Sequence, residues 1–501
     1  MPYTDEIPEA ESAIYEQLLV IRSKLSALKR DRTQYLTSKD VLSTYNEVFQ
    51  LVKQLKVVRD QTQHQLNKVD LIIDDIFQLL SLFFITVGLI NTAPATYASL
   101  TTVQRLLEHL NESSVYTVHD LAPIKQRLQE ITKIVNGGED TDGNSNKNND
   151  EELALLKFKL KQCLEDYKVV ESKVEKVDSK LQSLFEELVT IRRKLLSTAA
   201  RPNFTSLEIK PIVDRLQELE NHRDSSGKFQ SLETDKVILD GQNVLNGLLD
   251  ECHTLIDDLN AHNFKLDESL KPIYDRLINL KTSLEDLLVT RRWTLRQTDL
   301  YQYQKDIQEI DDLRVNGKFP TTDPSTAAAT AASKSQAILL YLLRRCYAII
   351  YKLLESSEPV SEALQPIHNQ LSTVRRCLLE LKRIGGINSA RELYPYQMKL
   401  ASLDNLRVDG KFIVDGQVPE GQGTLTALLA ECYDICEELK IDAEEAESKT
   451  EDAEDEDGEI GGVYDNENVE YEYVDDEEDD YQEDEEDQSR YASYAPSEVE
   501  V

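Results

Sequence analysis

One helical phrase is written three times in this chain and constrains its fold more than any other feature. Gln422, Leu425, Leu428-Leu429, Cys432-Tyr433, Cys436 and Leu439 recur as Gln242, Leu245, Leu248-Leu249, Cys252-His253, Ile256 and Leu259. They recur again as Gln336, Leu339, Leu342-Leu343, Cys346-Tyr347, Ile350 and Leu353. Steps of three and four residues put all these side chains on one stripe of an α-helix. A fainter copy runs through Leu156, Leu160, Cys163 and Val170. Successive cysteines of the series are 89, 94 and 86 residues apart, room for a unit of about three helices. The apolar stripe of one such helix is too small to offset the entropy of ordering it, so units are expected to pack on each other.

Other signatures repeat as well. Ile14-Tyr-Glu-Gln-Leu-Leu-Val-Ile-Arg-Ser-Lys-Leu25 reappears as Leu184-Phe-Glu-Glu-Leu-Val-Thr-Ile-Arg-Arg-Lys-Leu195. A Leu/Ile-x-Pro-Ile phrase stands at 121–124, 209–212, 270–273 and 364–367. Proline costs little in the first turn of a helix, so Pro123, Pro211, Pro272, Pro366 and also Pro395 are read as helix starts. Gly-Lys-Phe at 227–229, 317–319 and 410–412 is read as a helix exit closed by a left-handed glycine. Variable loops at 136–151, 224–241, 320–334 and 413–423 follow in one phase.

The expected fold is all-α: repeated three-helix units of about 90 residues packed into a helical bundle or array, with a disordered acidic C-terminal tail. Residues 10–95 make a divergent N-terminal unit. Residues 96–180, 181–262, 263–356 and 357–440 make four more, and 441–501 the tail. Ile76–Ile90, the most apolar run, falls short of the ~20 residues of a membrane span and is read as a core helix that favours a compact body.

The chain carries a net charge of −37, most of it in residues 441–501, where 28 acidic residues face 2 basic ones. A segment like this cannot bury enough surface to fold. The acidic start without an apolar stretch argues against a secretory signal, and six scattered cysteines fit a reducing compartment. Overall negative charge argues against nucleic acid as a ligand.

No residue cluster shows an identifiable chemistry. The three Gly-Lys pairs lack the upstream glycine of a phosphate loop, having His222, Asp312 and Asn405 there, and Phe follows each lysine. Cys432 and Cys436 lack a matching second ligand pair for a metal. No catalytic residue, metal or cofactor is expected. Cys252, Cys346 and Cys432 are read as the core of the repeat. Arginine pairs recur at Arg192-Arg193, Arg291-Arg292, Arg344-Arg345 and Arg375-Arg376. If the repeats align them, Arg192, Arg193, Arg291, Arg292, Arg375 and Arg376 form a basic stripe able to fork onto phosphates or carboxylates. The plainer reading is a solvated face neutralised by nearby Glu and Asp.

The Leu-x-Pro-Ile helix, Leu-Tyr-x-Tyr-Gln at 300–304 and 393–397, the Arg-Val-x-Gly-Lys-Phe phrase and the acidic tail together resemble a fungal family of uncharacterised proteins, a domain of unknown function. The resemblance covers roughly residues 10–440. It implies a soluble intracellular helical protein of the cytoplasm, with the nucleus as a second location, and supplies no catalytic residues. The leading expectation is a non-enzymatic scaffold or adaptor for protein partners, with neither nucleic acid nor membrane as partner. The alternatives are a chaperone-like binder of basic proteins through the tail, or a tail-masked binder of phospho-ligands through the arginines. An enzyme is a third class, without supporting residues.

Overall fold

The computed structural model describes residues 7–59, 67–113, 115–136, 147–174, 179–201, 204, 206–224, 227–230, 241–260, 269–290, 295–320, 326–387 and 389–456. Fifteen α-helices run through them and fall into five successive groups of three. The first group is α1 (Glu9–Arg30), α2 (Ser38–Arg59) and α3 (Lys68–Thr86), the second α4 (Tyr97–Ser113), α5 (Val118–Asn136) and α6 (Lys147–Val174). Then come α7 (Gln182–Ala199), α8 (Ser206–Glu220) and α9 (Gln242–Asn260), followed by α10 (Lys271–Thr290), α11 (Leu300–Asp311) and α12 (Thr326–Glu355). The last group is α13 (Gln365–Arg383), α14 (Tyr394–Asp404) and α15 (Gln422–Glu456). The protein is all-α, built from repeated three-helix units. Among the described residues the only strands are two-residue β1 (Arg407–Val408) and β2 (Lys411–Phe412).

Each cysteine helix is the third of its group and lies along the first. The Cys163, Cys346 and Cys432 thiols donate to the carbonyls of Leu100 on α4, Leu277 on α10 and Leu371 on α13, at 3.7, 3.9 and 3.7 Å. Cys252, Cys346 and Cys432 are all fully buried.

The proline phrase proves to occupy two different slots. In α10, α13 and α14, Pro272, Pro366 and Pro395 stand in the first turn. Pro123 and Pro211 instead lie inside the second helices α5 and α8. Thr117 caps α5: its hydroxyl accepts from the Asp120 N–H at 3.3 Å, and Asp120 accepts from the Thr117 N–H at 2.9 Å. That fixes the helix start upstream of Pro123, whose absent N–H orphans a carbonyl on the exposed first turn.

The Gly-Lys-Phe phrase is likewise a hairpin turn and not a helix exit. Asn316 and Gly317 both have positive φ, 52° and 77°, as do Asp409 and Gly410, 50° and 75°. Two consecutive left-handed residues match the twist of a two-residue hairpin, which is why Asn-Gly and Asp-Gly are found there. The pairs Val315↔Lys318 and Val408↔Lys411 close the two turns.

Units that are distant in sequence also touch. α12 packs on α4 and α7 as well as on α10 and α11, and α3 packs on α11 as well as on α1, α2 and α4. An open solenoid, whose repeats meet only their neighbours, is not what forms. Residues 1–444 make one compact unit. α3 is the reason: Leu79, Leu80, Leu82, Phe83 and Phe84 are at most 2% exposed, so helices must cover it on most sides. No helix among the described residues is long and apolar enough to cross a membrane. Within residues 445–501, the second compact unit, α15 continues to Glu456, and the acidic runs at 475–480 and 483–487 lie outside the described residues.

Candidate functional site

Two of the repeated phrases meet in one device. The side-chain amide of Gln242 accepts from the Phe229 N–H at 2.9 Å and donates to the Phe229 carbonyl at 2.8 Å. Gln336 does the same to Phe319, and Gln422 to Phe412, at the same two distances. The leading glutamine of the repeated phrase, the first residue of α9 and α15 and the eleventh of α12, therefore clamps the backbone of the hairpin that precedes it. The three phenylalanine rings sit in the core, at most 3% exposed.

A second device is an acid, an arginine three residues on, and an aromatic residue of the cysteine helix. The sets are Glu220, Arg223 and His253; Asp311, Arg314 and Tyr347; Asp404, Arg407 and Tyr433. His253 Nε2 lies 2.9 Å from Glu220, and the Tyr347 hydroxyl donates to Asp311 at 3.3 Å. Arg223 and Arg407 donate to the carbonyls of Gly227 and Gly410 in their own hairpins and lie over Phe229 and Phe412.

The middle set is different, and it is the densest ionic cluster in the described residues. His109 of α4 reaches in, with Nε2 3.1 Å from both Asp311 oxygens. Arg314 donates to Asp311 and to Glu112 of α4, each at 2.6 Å. Arg105 adds contacts to Glu108 and Asp312 at 3.3 Å. His109 and Asp311 are fully buried, Tyr347 and Arg314 nearly so. Burial alone raises a carboxyl pKa, yet His109, Arg314 and Arg105 together hold Asp311 down at about 2, so it stays ionised. Burial and the same carboxylate push the Tyr347 phenol well up.

Arg344 borders this cluster and donates to the His109 carbonyl at 2.5 Å. Burial, then the charges of Arg192 and Arg193, lower its pKa to about 10. The structure thus groups Arg192 and Arg193 with Arg344, while Arg375 lies elsewhere, on α13. Arg192 forks onto Glu251 of α9 at 2.9 and 2.8 Å, and Arg375 holds Glu431 of α15 at 2.6 Å. Each of these glutamates directly precedes a repeat cysteine. On α10 the position four residues past the thiol-accepting leucine, which Arg375 holds on α13, is Lys281. Arg193 holds Asp120 at 2.8 Å, and Arg376 is also partnered. Arg291 and Arg292 lie outside the described residues. An external anion has to displace Glu251 to reach Arg192, which is 15% exposed, whereas Arg193 and Arg375 are half-exposed beside their carboxylates.

Chemically, the His109–Asp311 cluster is a joint between the second and fourth units. Its imidazole and carboxylate are shut away from solvent, and its charges face each other. The sequence shows the acid–arginine spacing three times but gives no sign that His109 completes the middle copy. Burial also raises the thiols of Cys252 and Cys346 to about 12 and of Cys432 to about 11, which leaves them unreactive. No group of three His, Cys, Asp or Glu among the described residues is placed to hold a metal ion.

The family model described as a protein of unknown function, DUF2408, matches this chain over residues 174–297, 297–382 and 357–466. The chain belongs to that family. Successive matches of one model agree with the repeated unit. A Saccharomyces cerevisiae protein named "Cu(2+) suppressing and bleomycin sensitive protein 1" is 52% identical over 88% of this chain and 91% of its own length. A CUB1 family protein of Schizosaccharomyces pombe is 41% identical over 87% of this chain and 94% of its own length. No solved structure matches.

Proposed function

We propose that this chain is a non-enzymatic scaffold, a helical array offering protein partners a surface, in the cytoplasm with the nucleus as a second location. The observation that supports it most is the use of the ionisable groups: the densest ionic cluster among the described residues, centred on buried His109 and Asp311, joins units that are far apart in sequence. Such a joint stabilises shape, and shape is what a repeat protein offers a partner. The budding yeast relative is named for copper suppression and bleomycin sensitivity. Carried to this chain as part of the proposal, that name assigns the scaffold to the response to those agents.

A second reading rests on the 28 acidic residues against 2 basic ones after residue 440, a composition suited to holding basic proteins. Affinity purification of the full chain beside residues 1–440 separates the two. The scaffold reading expects most partners to survive tail removal and 1 M salt. Loss of every partner in both treatments favours the tail, whose contacts are screened at that ionic strength.

A further inference from the structure

The repeat contains the same recognition face twice, once covered and once open. α11 begins Leu300-Tyr-Gln-Tyr-Gln304 and α14 begins Leu393-Tyr-Pro-Tyr-Gln397, so Tyr301 matches Tyr394, Gln304 matches Gln397 and Lys305 matches Met398. In α11 this face lies against α3: the Tyr301 hydroxyl donates to Asp75, and Gln304 accepts from Gln78 at 3.1 Å. Tyr301 is 8% exposed and Gln304 4%. In α14, Tyr394 is 62% and Met398 53% exposed, and Gln397 is exposed too. Leu400 and Leu403, on the other stripe, are buried like their α11 counterparts Ile307 and Ile310. The terminal unit keeps the residues that α3 reads in the fourth unit, with no helix of the described residues over them.

We propose that the Tyr394–Gln397–Met398 face of α14 docks a helix from another protein that resembles α3: apolar, with a carboxylate three residues before a glutamine. The template dictates that chemistry, since Asp75 and Gln78 stand one turn apart and meet Tyr301 and Gln304, also three apart. Charge agrees with it. In the covered copy Arg22 pairs with Asp75 and Lys305 lies 4.0 Å away. In the open copy exposed Arg391 and Lys399, the latter donating to Gln370 at 2.6 Å, stand near the face with one exposed acid, Glu392, a net positive charge beside a partner carboxylate. This inference names one surface of the proposed scaffold and rests on that reading for its purpose.

The probe is a fluorescein-labelled peptide of the Lys68–Thr86 sequence, kept soluble by a short polyethylene-glycol tag and titrated with the full chain. Saturable binding is expected, weakened roughly tenfold or more by Tyr394→Ala with Gln397→Ala in the chain, and equally by Asp75→Ala with Gln78→Ala in the peptide. Both chain positions are exposed, so an unchanged melting curve confirms that the variant folds. No saturable binding, or binding indifferent to either pair of changes, overturns the proposal. So does a dimer in sedimentation that dissolves in the chain variant, which makes a second copy the occupant. Partners captured by residues 1–440 regardless of Tyr394 leave the scaffold reading standing while this one fails.

Discussion

Asp311 is the residue on which the middle joint depends, and its carboxylate has no neutral substitute. Asp311→Asn leaves Arg314 with Glu112 as its remaining charged partner and sets an uncharged amide beside His109, a loss of about 2–3 kcal/mol. The matching change in the last unit, Asp404→Asn, removes an ion pair whose acid is 44% exposed, and should cost below about 1 kcal/mol. Urea denaturation of the two variants checks the contrast; equal losses would mean that burial by α4 adds nothing. The pH dependence has a definite sign. Asp311 titrates lower in the folded chain, about 2 against 3.8, so the native state binds fewer protons in that window. Its contribution of about 2 kcal/mol is complete above pH 4 and disappears as pH falls toward 2, and Asp311→Asn should flatten that limb of the acid-unfolding curve. The thiols make a second test at this scale. Cys163, Cys252, Cys346, Cys432 and Cys436 are buried and Cys377 is partly exposed, so iodoacetamide should label Cys377 alone in the native chain and all six after unfolding. Early labelling of Cys346 would contradict its place in the core.

At the scale of elements, the glutamine clamp is what makes helix and hairpin one piece. Gln336→Ala deletes both bonds to Phe319 and leaves a buried N–H and carbonyl unpaired, a loss of about 2–3 kcal/mol. Gln336→Glu should be no milder at neutral pH, because a carboxylate oxygen then faces the Phe319 carbonyl, and should recover as the side chain protonates; thermal melts across pH decide. Both halves of the clamp were visible in the sequence as repeated Gln and repeated Gly-Lys-Phe. What periodicity could not supply was their contact. The glycine was read as a helix cap because caps and hairpins both need positive φ; the residue before it, Asn316 or Asp409, carried the hairpin signal. Pro123 and Pro211 misled for a related reason: a proline phrase gives backbone preference, and the true start of α5 was marked by Thr117 and Asp120. The apolar stripes were easiest to read, since burial and period have one cause. His109 was illegible, as nothing local to α4 records that α11 will arrive beside it.

Across the whole array, one short link ties the ends together. Glu362, between α12 and α13, receives both arms of Arg296 at 2.5 and 2.6 Å and the Leu36 N–H at 2.9 Å. Its own N–H donates to the Thr86 carbonyl at the end of α3. Arg296 also donates to the Asp31 carbonyl at 2.8 Å. The first, fourth and fifth units thus share one carboxylate, with Arg296 6% exposed. The approach is close: a Cβ on Gly88 would sit 2.8 Å from the Ser361 nitrogen, and Gly88 has a φ of 86° that other residues rarely adopt. α13–α15 nevertheless hold a separate core, built from Leu371, Leu378, Leu400, Phe412, Leu425 and Cys432 among others. A unit with its own core and a narrow attachment is positioned to open before the rest. Glu362→Gln keeps the shape of the link but leaves Arg296 without its charge. Amide hydrogen exchange should then quicken at the α1–α2 connection and at residues 360–362 of the link, while Cys432 and its neighbours in α15 retain their protection. Uniform acceleration through α15 would show instead that the last unit borrows its stability from this joint, and that its core does not suffice.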